Sequence, residues 1–278
     1  MFEETDNTAW CPGCGNFPLR TALKDALNEL DLKPEKVAMF TGIGQAAKMP
    51  HYLNINGFNG LHGRSFPPAI GMRIANQKMK VIVESGDGCS YGEGGNHILH
   101  NIRRNPDLVH LVHDNQIYGL TKGQASPTTE AGYTTKVQTN GVNAEPLNPV
   151  KFALSMGASF VARAFVGNRE HLANLIKEAM NHRGYALIDI LQPCVTFNKL
   201  NTYKWYSKRV SKLDNHDSSD YYKALKLSEK WGDEIPIGVF YKEEKEIFRD
   251  RLSQLDETPL VEKKTDLNEM RSLMKEFK

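Results

Sequence analysis

Apolar residues recur through "NFPLRTALKDALNEL" (16–30) at Leu19, Leu23, Ala26, Leu27 and Leu30. That spacing lays them along one stripe of a helix, which must pack against something else. Further on the period changes. Short β-rich runs, "KVAMFTG", "KVIVESG", "LVHLVHDN", "ASFVAR" and "YALIDILQ", alternate with helical patterns near 68–77, 94–104, 148–156 and 168–182. Strands alternating with helices imply right-handed crossovers, and hence an α/β fold with a parallel sheet covered by helices on both faces. From about residue 199 the chain turns polar and aromatic and then charged, with one short apolar run, "IPIGVFY". The expected organisation is a main domain over 1–198 and a C-terminal extension over 199–278 that wraps it. There is no internal repeat or low-complexity tract.

Composition narrows the function classes. The chain has 278 residues, with Lys+Arg 35 against Asp+Glu 33, a balance that points to no polyanionic partner such as nucleic acid. No apolar run approaches the roughly 20 residues that span a bilayer, so no membrane partner is expected. The start, "MFEETDNTAW", is acidic and polar, unlike a secretory signal. The expected setting is the cytoplasm. There the four cysteines, Cys11, Cys14, Cys89 and Cys194, stay reduced and serve metal binding, catalysis or packing rather than a disulfide scaffold.

Ligands of an open parallel sheet bind at the carboxyl ends of its strands. In this chain those positions are rich in chemistry. Gly86, Asp87 and Gly88 follow one apolar run and precede Gly92, Gly94 and Gly95 at a helix start, and Asn115 follows the next run. Glycines let backbone approach a diphosphate, and free N–H groups at a helix start favour its charge. Asp87 and Asn115, with a backbone carbonyl near Ile117, are the hard oxygen donors that Mg²⁺ takes beside phosphates. "GDGCSYGEGG" lacks the G-x-G-x-x-G spacing of a dinucleotide site. Cys11 and Cys14 form a C-x-x-C that suits zinc, iron–sulfur or redox chemistry, and Cys194 leaves the last strand at the ligand-binding edge.

Gly-Asp-Gly after one strand, with an Asn 28 residues beyond Asp87 after the next, resembles the thiamine diphosphate signature. Five segments in order, "WCPGCGN", "GLHGRSFPPAIGMRIAN", "GDGCSYGEGGNH", "HDNQIYGLTKGQASPT" and "ILQPCVTFN", together resemble the β subunit of the 2-oxoacid:ferredoxin oxidoreductases. The resemblance covers residues 9 to about 200. It implies a thiamine diphosphate-binding (diphosphate-domain) fold and oxidative decarboxylation of a 2-oxo acid with coenzyme A. It further implies a four-iron four-sulfur cluster passing electrons to ferredoxin, and a partner α subunit that brings the pyrimidine domain. Thiamine diphosphate and Mg²⁺ would then lie against Gly86, Asp87, Gly88, Asn115, Ile117, Gly119 and Leu120. Lys48 resembles the family's substrate-facing lysine, and His62 and Arg64 would line the cofactor cleft.

The resemblance also implies that Cys11, Cys14 and Cys194 bind the cluster. Its fourth ligand, a cysteine in the loop after the first strand, is replaced here by Gln45 in "GIGQAAKMPHYLN". Cys89, in a loop on the same sheet edge, is the candidate substitute; the alternatives are a three-cysteine cluster or none, with Cys89 a small apolar residue facing the cleft. Two other function classes stay open. One is a thiamine-dependent subunit doing non-redox decarboxylation, and the other is a zinc-stabilised binding module.

Overall fold

The computed structural model describes residues 1–2, 7–253, 255, 258–264 and 266–277. The predicted first helix is α1 (Asn16–Glu29), with Leu19, Leu23, Ala26 and Leu27 buried. Then follow β1 (Val37–Thr41), β2 (Asn56–Asn59), α2 (Phe66–Ala75), β3 (Lys80–Gly86), α3 (Gly95–Arg104) and β4 (Leu108–Asp114). After a long loop come α4 (Pro149–Ser155), β5 (Phe160–Phe165), α5 (Arg169–Asn181) and β6 (Tyr185–Leu191). The remainder forms α6 (Tyr203–Ser207), β7 (Val210–Lys212), α7 (Tyr221–Ser228), β8 (Ile235–Lys242) and α8 (Leu267–Glu276).

The eight strands form one sheet in the order β2-β1-β3-β4-β6-β5-β8-β7. The first six in that order pair in parallel. β8, the "IPIGVFY" run, pairs antiparallel with β5, and β7 pairs in parallel with β8. The α/β architecture expected from the hydrophobic pattern is therefore present, with helices on both faces. Alternation along each buried strand divides its side chains between two cores. Ile82, Leu111 and Ile188 join Leu23 of α1 and Ile176 of α5 on one face. Val83, Val112 and Leu187 meet Phe66 of α2, Ile98 of α3 and Leu154 of α4 on the other.

Two strands carry no β signal of their own. β2 is the exposed tetrapeptide Asn-Gly-Phe-Asn, extended because its backbone pairs with β1. β7 is three residues that pair along β8. On α8, Leu267, Met270, Leu273 and Met274 are all exposed. Among the described residues no helix is long and apolar enough to cross a membrane.

Candidate functional site

β1, β3, β4 and β6 are neighbours in the sheet, so the loops that follow them open on one edge. Asp87 directly follows β3 and starts a π-helical turn, Gly88–Glu93, before α3. Such turns are rare and concentrate at functional sites. Asn115 directly follows β4, and its Oδ1 accepts the Ile117 N–H at 3.1 Å. Gln116 between them takes the left-handed conformation at φ 58°, which turns the loop back toward β3. One cleft is lined by Gly86, Asp87, Gly88, Asn115, Ile117, Gly119 and Leu120, the seven residues expected to hold the cofactor. His62, Cys89 and Gln45 line it too.

The other expected residues are spread more widely. His62 and Tyr118 pack as a T-shaped ring pair, and the His62 Nδ1 is buried without a hydrogen-bond partner. Lys48 lies half-buried on a short 3-10 helix, Ala46–His51, and does not line the cleft. Arg64 is exposed; its Nη1 lies 3.5 Å from His97 Nε2, and it borders a surface hollow with Phe58 and Leu61.

Tyr118 ties the loops after β3 and β4 together. Its hydroxyl donates to the Gly88 carbonyl at 3.1 Å. Its ring fills the space that side chains at 88 and 92 would need, since an added Cβ would stand 2.1 Å from the ring at Gly88 and 2.6 Å from the hydroxyl at Gly92. Here the glycines are required by a close approach and not by backbone conformation.

Asp87 is buried, and burial raises its carboxyl pKa to about 6, against hydrogen bonds from Ser126, Thr128 and the Gly88 backbone that pull it down. Thr128 Oγ1 stands 2.8 Å from Asp87 Oδ2 and 2.7 Å from Asp114 Oδ1. One hydroxyl proton cannot serve two carboxylates. Burial, then Asp189 and Asp87, push Asp114 well above the usual range. We therefore assign the second proton to Asp114, which leaves Thr128 to donate to Asp87. Behind them Asp189 accepts from Tyr91 at 2.8 Å and faces Arg163 at 3.7 Å, whose guanidinium lies over Trp231 and Phe240. Sequence reading missed this buried set. Its only signal was charged residues inside apolar runs, Asp189 in "YALIDIL" and Arg163 in "ASFVAR".

A second cavity adjoins the first. It is lined by Cys11, Cys14 and Cys194, with Trp10, Asn16 and Thr196, and shares Gln45, Asn115 and Gly119 with the first cleft. Cys14 is pushed up to about 11 by burial, with Cys194 and Cys11 adding to the rise. Cys89 lies apart from these three, on the first cleft, where its thiol accepts the Gly63 N–H at 3.2 Å. Among the described residues no three His, Cys, Asp or Glu side chains are gathered as a ready-made metal site. The cysteines border a cavity instead of closing on one point.

A buried hydrogen-bond chain holds the cysteine segments in place. Glu84 on β3 meets His113 Nε2 at 2.6 Å, and His113 Nδ1 meets Asn16 Oδ1 at 2.8 Å. The same Asn16 oxygen accepts from Gln192 Nε2 at 2.9 Å. Asn16 sits two residues after Cys14, and Gln192 two before Cys194. Gly15 approaches Gln192 so closely that an added Cβ would lie 2.6 Å from its Cβ.

Two outcomes follow from this geometry. Gly88→Ala forces the Tyr118 ring aside, an overpacking cost of about 1–3 kcal/mol, or ~10–100-fold in metal-dependent thiamine diphosphate affinity by titration calorimetry. Adding Tyr118→Ala should recover part of that loss; no recovery would show that Tyr118 is not the obstruction. Asp87 has a folded pKa of about 6 against 3.8 for the free group, so the metal-free fold loses stability as pH rises through that window. Metal-free Asp87→Asn should therefore melt above the wild type at pH 7, with the advantage gone below pH about 4.

The family profile "Thiamine pyrophosphate enzyme, C-terminal TPP binding domain" matches residues 38–190. A second profile, for the C-terminal part of the pyruvate ferredoxin oxidoreductase β chain, matches residues 194–257. The 2-oxoacid:ferredoxin oxidoreductase subunit beta of Saccharolobus solfataricus is 44% identical over 250 residues, covering 84% of this chain and 82% of that one. The 2-oxoglutarate synthase subunit KorB of Methanocaldococcus jannaschii is 33% identical, covering 89% and 92%. A solved 2-oxoglutarate:ferredoxin oxidoreductase from Magnetococcus marinus, with 2-oxoglutarate, coenzyme A and succinyl-CoA bound, superposes with TM-score 0.89 at 35% identity. That match covers 98% of this chain and 94% of the other. On these relatives the chain belongs to the β subunits of the 2-oxoacid:ferredoxin oxidoreductases.

Proposed function

We propose that this chain is the catalytic β subunit of a cytoplasmic complex that oxidatively decarboxylates a 2-oxo acid with coenzyme A and passes the electrons to ferredoxin. The observation that carries this reading is the common wall. Gln45, Asn115 and Gly119 line both the cofactor cleft and the three-cysteine cavity, so a carbon centre and an electron carrier would sit side by side.

The donor set suits Mg²⁺ and a diphosphate. Asp87 is a buried carboxylate facing a cleft that also exposes the Asn115 amide and the Ile117 backbone, an all-oxygen set of the kind magnesium takes. Asp87, Asn115 and the Ile117 carbonyl would hold the metal, and Gly86 and Gly88 would let the diphosphate lie against backbone. Thiamine, when bound, supplies a nucleophilic carbon and an electron sink for decarboxylation. This chain's own residues bind and orient. Thr128 keeps Asp87 aimed into the cleft, Tyr118 fixes the spacing of the two loops, and His62 offers its unpartnered Nδ1 to substrate or diphosphate. Lys48 and Arg64 lie outside the cleft wall, where they would meet the α subunit or the substrate's far end. The glutamate that activates thiamine belongs to the pyrimidine domain of that α partner.

Cys11, Cys14 and Cys194 would hold the iron–sulfur cluster. A cluster interposes its own iron and sulfide between its thiolates, so it takes cysteines spread around a cavity, whereas zinc draws four donors to about 2.3 Å from a single ion. This spread sets the cluster reading above the zinc-module one.

The deciding experiment is reconstitution with the α subunit under anaerobic conditions. Coenzyme A-dependent release of CO₂ from a panel of 2-oxo acids, coupled to ferredoxin reduction, is expected from the complex and not from this chain alone. Asp87→Ala should abolish metal-dependent thiamine diphosphate binding, and near-normal affinity would remove the reading. Cys89→Ser should keep the iron content and the visible spectrum of the wild type, because its thiol lies in the other cavity. Loss of iron in that variant would make Cys89 a ligand.

A further inference from the structure

The four cysteines are divided three to one between the two cavities. Cys89 has no freedom to cross over. It is 3% exposed, its thiol is engaged by the Gly63 N–H, and it packs under Gly42, where an added Cβ would stand 2.3 Å from its sulfur. Among the described residues no His, Asp or Glu lines the cysteine cavity. The remaining polar side chains on its wall are mostly committed. Asn16 Oδ1 receives His113 and Gln192, Asn115 Oδ1 receives the Ile117 N–H, and Thr196 donates to Cys11 Sγ at 3.2 Å. Gln45 differs: its Oε1 is buried with no hydrogen-bond partner. Its loop is fixed to the cysteine segment, since the Trp10 indole N–H donates to the Gln45 carbonyl at 2.8 Å.

We propose that the cluster in this cavity is anchored by three thiolates and that its fourth corner faces the Gln45 carboxamide. This rests on the cluster reading above. A neutral amide oxygen is a hard, weak donor to an iron that prefers thiolate, so one iron is held less firmly than the others and is exchangeable. Gln45 also lines the cofactor cleft, which sets the labile corner at the wall between thiamine and cluster. A one-electron oxidant then extracts that iron selectively. The [4Fe–4S]²⁺ cluster gives one electron to ferricyanide and one Fe²⁺ to solvent, leaving [3Fe–4S]⁺.

The test uses the anaerobically reconstituted αβ complex as wild type, Gln45→Cys and Gln45→Ala, with iron analysis and electron paramagnetic resonance during ferricyanide titration. The wild type is expected to fall from about four to about three irons per chain, to gain the signal of an oxidised three-iron cluster, and to recover with Fe²⁺ and reductant. Gln45→Cys should keep all its iron under the same oxidation. Gln45→Ala should lose the iron several-fold faster than the wild type. If the wild type retains its iron as Gln45→Cys does, or if Gln45→Ala matches the wild type in rate, the proposal falls. Far-ultraviolet circular dichroism and the thermal melt, measured in parallel, show that each variant is folded. A wild-type complex without iron overturns the cluster reading itself, a result distinct from iron that is present but not labile.

Discussion

The site depends on one buried chain of hydrogen bonds, Glu84 to His113 to Asn16 to Gln192. Two of its members stand on adjacent central strands, the third opens α1, and the fourth leaves β6. Burial pushes the Glu84 carboxyl up while its bond to His113 pulls it down. Asn16 Oδ1 accepts from His113 Nδ1, so the glutamate and the Nε2 side of the ring share a single proton whichever group carries it. Unpaired, any of these groups would cost the full penalty of a buried polar atom. Together with the Trp10 indole on the Gln45 carbonyl, these bonds bind the N-terminal segment to the sheet edge and bring Cys11 and Cys14 beside Cys194.

The second constraint is electrostatic. Asp87, Asp114 and Asp189 are buried together with Arg163 as their close cationic neighbour. Three ionised carboxylates in that space would repel strongly, so Asp114 stays protonated and hands a hydrogen bond through Thr128 to Asp87. Among the described residues, the arrangement leaves Asp87 the one carboxylate on the cleft wall. That is a costly state for the fold, since burial disfavours the charged carboxylate.

Hydrophobic period and turn chemistry, both local properties, were legible in the sequence. β-branched runs bounded by glycine and asparagine marked the central strands, and the stripe in 16–30 marked α1. Asp87 and Asn115 could be placed because a parallel sheet delivers every strand's carboxyl end to one edge, so position after an apolar run is enough. β2 escaped notice because Asn-Gly-Phe-Asn owes its extended form to pairing with β1 and to nothing in its own side chains.

The tertiary structure alone decided which cavity each loop residue faces. Cys89 and Gln45 both follow a glycine-rich strand end and look equivalent in sequence, yet the π-helical turn buries the Cys89 thiol in the cleft beside Asp87, while Gln45 stands on the wall of both cavities. Loop side chains follow no period, so their direction is set by packing against distant segments, Tyr118 for one loop and Trp10 for the other. Likewise the sequence supplied the residues of the buried carboxylate set, but their company, drawn from three strands, the turn after β3 and a loop, exists only in the folded sheet.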